Sequence, residues 1–175
     1  MQAKVKGFSL IEVMVSLLIL VIGLIGIFNL HIVAKRGSFE SFQQTQASYY
    51  ANDIINRMKL NRSRLAQYDD NSPYVDMPST APKSCNGAAL CSADELMAWD
   101  LYEWRASFSG ASEKIGEKNV GGLDTPTACI EVNANTVTVV LAWRGIRKTT
   151  IDANLPSCGI GKLNRRIFSI QTVII

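Results

Sequence analysis

The sequence predicts an α+β chain: a long N-terminal helix whose C-terminal half packs on an antiparallel β-sheet. Three observations predict it. Residues 13–34 carry no charged side chain. An apolar stripe at spacings of three and four continues through Ala47, Tyr50, Ile54 and Met58, with no proline before Pro73. Strict alternation then appears near the end, in Val137, Val139, Leu141 and Trp143.

The apolar run comes first. Residues 13–28 are apolar except for Ser16. The run reaches the roughly 20 residues that cross a bilayer core of about 30 Å. A short basic leader with Lys4 and Lys6 precedes it, and Lys35-Arg36 follows it, a solvated face with an alternative role as a stop at the membrane boundary. Positive charges stay cytoplasmic, so the rest of the chain is expected on the far side. A secretory signal is cut behind its apolar region after small residues, and no A-x-A pattern follows this run closely. Glu12 stands at the edge of the run. A carboxylate there is costly and usually partnered; a place among the headgroups is the plainer reading, and the residue alone leaves both open.

The helix is expected to continue from Phe8 to about Leu65, roughly 87 Å at 1.5 Å per residue. Its first half is apolar all round. In its second half Ala51 and Ile55 widen the stripe, with Gln43, Asn52, Asp53, Asn56, Arg57 and Lys59 as polar neighbours. Gly23 and Gly26 weaken the first half by about 1 kcal/mol each relative to Ala, but allow close helix contact in a bilayer.

Residues 69–90 hold Pro73, Pro78 and Pro82 among Asp, Asn, Ser and Gly, and read as a loop. Ser92-Ala93-Asp94-Glu95 has the pattern of a capping box. Met97, Leu101, Trp104 and Phe108 then form the inward stripe of a short helix stopped by Gly110, while Asp94, Glu95, Asp100 and Glu103 read as its solvated face. Gly121-Gly122 and Pro126 mark a turn. A phosphate loop needs Lys and Ser/Thr after its glycines, and Leu123-Asp124 stands there instead. Strands are expected over residues 128–132 and 136–143 around Asn133-Ala134-Asn135, over residues 146–151, and over residues 166–175.

Net charge is +3, from 18 basic and 15 acidic residues, too mild to argue for nucleic acid. Lys35-Arg36 and Arg165-Arg166 read as solvated faces. The four cysteines, Cys85, Cys91, Cys129 and Cys158, all follow the apolar run, which suggests disulfides in an oxidising compartment. Three connectivities are open. Cys85–Cys91 with Cys129–Cys158 is favoured, because the first pair closes a short loop; the second then ties the loop before the last strand to the first strand. The spacings lack a CxxC pair and the lone His31 sits beside the apolar run, so no metal and no cofactor are expected. One histidine at the membrane edge supplies no Ser-His-Asp or Cys-His arrangement either, so the chain is not expected to be an enzyme.

Lys6-Gly7-Phe8-Ser9-Leu10-Ile11-Glu12-Val13, followed by the apolar run, resembles the prepilin recognition motif. The resemblance implies that a prepilin peptidase cuts after Gly7 and N-methylates the new first residue, Phe8. It makes Glu12 the family's acidic position, for which assembly is the role. It also implies a pilin-like fold: residues 1–7 a leader, 8–34 a transmembrane and filament-core half-helix, 35–66 an amphipathic half-helix, and 67–175 a globular periplasmic head. The expected location is the bacterial inner membrane, single-pass, with incorporation into an extracellular pilus. Major pilins commonly carry a proline further along this helix, and none stands there here.

Three further stretches are similar to the minor pilins of the PilV kind, the type IV pilus modification proteins: residues 17–26, residues 51–62, and Ala142-Trp143-Arg144. The first 65 or so residues carry most of this resemblance. It implies a minor pilin that joins other minor pilins and the major pilin, on an inner-membrane assembly platform, in a tip or priming complex, sometimes with a large tip adhesin. Twitching motility, adhesion and DNA uptake depend on such pili. The alternative is a minor pseudopilin of a type II secretion system, which shares the motif and the long helix.

Overall fold

The computed structural model describes residues 7, 9–69, 72–75, 77–87, 90–147, 158–159 and 164–175. The chain divides into two compact units, Met1–Phe39 and Glu40–Ile175. One helix, α1 (Leu10–Leu60), begins in the first and ends in the second.

In the first unit the Ser9 carbonyl accepts from the amides of Glu12 at 3.0 Å and Val13 at 3.3 Å, which starts the helix. Every residue from Ser9 to Arg36 is exposed. Among the described residues of this unit, the side chains that make the stretch apolar therefore form no buried core.

In the second unit α1 buries Ala47, Tyr50, Ala51, Ile54, Ile55 and Met58, the expected stripe. The α-helix ends at Leu60, earlier than the expected Leu65. Asn61 adopts φ −121° and ψ 50°, outside the helical region. Its buried amide donates to the Ala93 carbonyl at 2.8 Å, so a long-range hydrogen bond replaces the next helical turn. A 3-10 segment, Arg62–Tyr68, follows.

Helix α2 (Ala93–Ser109) matches its sequence signals at both ends. The Ser92 hydroxyl accepts from the Glu95 amide at 3.2 Å, and the Glu95 carboxylate accepts from the Ser92 amide at 2.8 Å. Gly110 closes the helix at φ +72°. The expected stripe faces the core: Trp104 and Phe108 are buried, and Met97 and Leu101 pack beside them. The Trp104 indole donates to the Tyr50 carbonyl at 2.8 Å, which fixes α2 on α1.

A small hairpin not foreseen from the sequence follows, β1 (Lys114–Ile115) with β2 (Lys118–Asn119). Among the described residues, β3 (Thr127–Asn133), β4 (Thr136–Arg144) and β5 (Arg165–Val173) form an antiparallel sheet in that order. Ala134-Asn135 is the turn between β3 and β4, with Ala134 at φ +53°. Val137, Val139, Leu141 and Trp143 face the core. The strand expected over residues 146–151 is not formed at its start, where Ile146 and Arg147 bend; residues 148–151 lie outside the described residues.

The edge of β3 is paired across the chain. Tyr74 and Ala128 exchange backbone hydrogen bonds at 2.7 and 2.9 Å. Asp69 accepts the Val132 amide at 2.9 Å. The loop expected over residues 69–90 thus covers a strand edge that would otherwise present free amides.

Candidate processing and assembly segment

Of the residues singled out for processing and assembly, Gly7 and Phe8 precede α1 in the sequence and Glu12 lies within it. Gly7 is exposed, and Phe8 lies outside the described residues. Glu12 is exposed in the first helical turn. A carboxylate there faces the positive end of the helix dipole, a local interaction worth about 0.3–1 kcal/mol. The Ser16 hydroxyl, the polar group inside the apolar run, donates to the Val13 carbonyl at 2.9 Å and so satisfies itself within the helix. Helix α1 is long and apolar enough to cross a membrane, and none of its most apolar stretch is buried inside the chain. A side chain added at Gly23 or Gly26 would meet nothing within 4 Å. Among the described residues nothing requires glycine there, whereas small residues let a second helix approach closely.

Two family models match this chain in sequence order. The prokaryotic N-terminal methylation motif matches residues 2–28. The model described as Type IV pilin Tt1218 matches residues 30–102, from the end of the apolar run into α2. The two matches support a type IV pilin with a prepilin-like N-terminal motif. No curated protein and no solved structure matches it. Type IV pilins are a structural, non-enzymatic family. A pilin with this motif is a membrane-associated subunit that assembles with other pilins and is a substrate of prepilin peptidase.

In the second unit of the chain all four cysteines are bonded, Cys85 to Cys91 and Cys129 to Cys158. This is the favoured one of the three connectivities. Cys129 lies on the sheet face opposite the core, beside Val140. Cys158 is buried there, with its sulfur 3.8 Å from the Val140 carbonyl oxygen.

Polar groups in the second unit correct three sequence readings. Asp100 is not part of a solvated face; it is 6% exposed. It accepts from the Tyr68 hydroxyl at 2.8 Å and from Arg57 at 3.2 Å. Arg57 also reaches Glu103 at 2.8 Å and Asp53 at 3.0 Å, so one cation joins α1 to α2. Burial works against the Arg57 charge, but these three carboxylates outweigh it and raise its pKa. Asp94, in contrast, is exposed and pairs with Arg64 at 2.6 Å.

Arg165-Arg166 is not a solvated pair either. Arg165 is 3% exposed and donates to the Thr127 hydroxyl at 2.7 Å and to the Thr125 carbonyl. Burial pulls its pKa down. Arg166 lies on the other face and meets Glu40 at 3.1 Å. Alternation along β5 sends the two arginines to opposite sides.

Gln43 is buried rather than a polar neighbour of the stripe. Its amide donates to the Gly122 carbonyl at 3.2 Å and accepts from the Asp124 amide at 3.2 Å. It acts as one rung of a ladder for the Gly121-Gly122 turn. The only sequence signal for it was position: Gln43 lies four residues before Ala47, on the buried stripe.

Proposed function

We propose that this type IV pilin is a minor pilin of the PilV kind, and that it helps to initiate pilus assembly in a tip or priming complex. The observation that carries the reading is a combination within one segment. Gly7, Glu12 and a helix exposed on all sides from Leu10 onward occur together, and cleavage after Gly7 leaves that helix at the new N-terminus. The stretches 17–26 and 51–62, which resemble PilV, support the choice among pilins.

Cleavage removes Lys4 and Lys6 and creates an amine on Phe8, four residues before Glu12. Amine and carboxylate can pair between subunits, or within one helix before assembly. In apolar surroundings, breaking such a pair leaves an uncompensated charge at a cost of several kcal/mol. Phe8 is the methylated residue. Residues 1–7 act as the leader, 8–34 as the span and filament core, 35–66 as the amphipathic half-helix and 67–175 as the periplasmic part. The protein sits in the inner membrane before incorporation and contacts the assembly platform, other minor pilins, the major pilin and, in some pili, a tip adhesin. It performs no catalysis; the chemistry is done upon it.

Mass spectrometry of the native protein from sheared pili tests this. The expected chain starts at N-methylated Phe8 and travels with pili. Deletion of the gene is expected to reduce piliation and twitching. Intact piliation with loss of enzyme secretion would assign the chain to the pseudopilins instead.

A further inference from the structure

The two disulfides sit in different surroundings. Cys158 is buried, and its neighbour Gly159 lies against Ala142 and Thr127 so closely that an added side-chain carbon would sit 3.0 Å from the Ala142 methyl. Cys85 and Cys91 are both half-exposed, six residues apart. A disulfide opens when a thiolate attacks one sulfur and the other departs as thiolate. Access and the stability of the departing thiolate set the rate.

Cys91 has the surroundings of a good leaving group. It directly precedes Ser92, the N-cap of α2, so its sulfur belongs to the residue at the positive end of the helix. The Lys83 ammonium is 3.0 Å from the carbonyl of Leu90, the residue before Cys91. The acids of the first turn are already engaged. Glu95 is bonded by Lys83 at 3.0 Å and by the Ser92 amide at 2.8 Å, and both hold its pKa below the ordinary value. Asp94 is paired with Arg64.

Asn86, the residue after Cys85, also holds α2. Asn86 accepts from the Trp99 indole at 3.2 Å. Trp99 stacks on Tyr102, with ring centres 5.6 Å apart. Both rings are half-exposed, on the side of α2 away from Trp104.

We propose that Cys85–Cys91 is a reducible disulfide, opened by a dithiol that attacks the Cys85 sulfur and expels Cys91 as thiolate, and that opening releases Asn86 from Trp99. The attacking thiolate forms a bond to the Cys85 sulfur as the bond between the two cysteines breaks. The Cys91 sulfur takes the electron pair and then a proton from water. The second thiol of the reagent displaces Cys85 from the mixed disulfide and closes its own. The dithiol is oxidised by two electrons and the cysteine pair is reduced by two.

Full-length, oxidised protein in detergent, titrated with dithiothreitol, quenched in acid, alkylated and mapped by mass spectrometry, tests this. Cys85 and Cys91 are expected to be labelled at about tenfold lower dithiol than Cys129 and Cys158. A brief pulse of glutathione is expected to leave its adduct on Cys85. Lys83→Gln is expected to slow opening of Cys85–Cys91 about threefold and to leave Cys129–Cys158 unchanged. Simultaneous opening of both pairs, earlier opening of Cys129–Cys158, an adduct on Cys91, or an unchanged rate in Lys83→Gln would overturn the assignment.

Discussion

Tyr68 donates its hydroxyl proton to one oxygen of Asp100 across 2.8 Å, while Arg57 holds the other oxygen at 3.2 Å. Burial, then the adjoining carboxylate, raises the Tyr68 pKa, so the phenol stays protonated and remains the donor. Tyr68→Phe is expected to strand that carboxylate oxygen in the core at a cost of about 1–3 kcal/mol. Denaturant unfolding of the full chain in detergent measures it. Tyr102→Phe, on the half-exposed side of α2, is the control and should stay within about 0.5 kcal/mol. Equal losses in the two variants would remove Asp100 from this role.

Glu40 predicts an acid limb in stability. Burial alone would raise its pKa. The Arg166 guanidinium at 3.1 Å and the Arg147 amide at 3.2 Å outweigh burial and hold it below the ordinary 4.5. A carboxyl with a depressed folded pKa adds stability above its unfolded value, and that stability is lost as pH falls through the folded value. Glu40→Gln is therefore expected to be less stable than the parent at neutral pH and to show a shallower decline below the unfolded value of 4.5. Parallel pH profiles for parent and variant would contradict this.

Gly122 tests the turn that Gln43 clamps. It has φ +76°, and an added side-chain carbon would lie 2.4 Å from the Phe108 carbonyl oxygen. Both the backbone conformation and the close approach oppose any side chain. Gly122→Ala is expected to cost at least about 2 kcal/mol. Gly116→Ala keeps a positive φ but meets nothing within 4 Å, so it should cost less. The difference, read from two unfolding curves, isolates the steric part.

The Cys129–Cys158 bridge closes a separation of 29 residues. Replacing both cysteines by Ser is expected to cost about 3–4 kcal/mol through the unfolded chain. A much smaller loss in thermal unfolding would mean that the packing of Gly159 on Ala142 holds the segment without the bond.

Glu12→Ala should separate processing from assembly. The proposed cut lies five residues upstream, so the mature form is expected in normal amount. Its share in sheared pili, read by immunoblot, is expected to fall at least tenfold, in keeping with an unpaired terminal amine in apolar surroundings. Normal incorporation would sink the proposed pairing.

Local signals in the sequence carried most of the architecture. Ser92 and Glu95 specify one helix start within four residues, and both of their hydrogen bonds form. The stripe on α1, the Gly110 stop and the hairpin at Ala134-Asn135 were legible for the same reason: each depends on a short spacing. The long-range polar contacts were not legible. Asp100 shares the helical rhythm of exposed acids, and its burial is made tolerable by distant partners, Tyr68, 32 residues away, and Arg57 on α1. Arg165 and Arg166 look alike in sequence and differ only through the alternation of β5. Tyr74 sits in a Pro-dotted loop whose pairing with Ala128 no local pattern encodes. Gly7, Phe8 and Glu12 are proposed from residue types and their order alone, the features a peptidase would read.

Helix α1 is one hydrogen-bonded element serving two folding regimes. From Glu40 onward its backbone is protected by side chains that must leave the core before an amide can exchange. Before that point no such lock exists among the described residues, and protection depends on what surrounds the exposed Leu, Ile and Val side chains. Hydrogen exchange would therefore resolve this continuous helix into two blocks. Denaturant would govern one, and the detergent or lipid around it would govern the other. In the proposed role, transfer from a bilayer to a fibre would exchange one apolar surrounding for another at the first block and leave the second undisturbed.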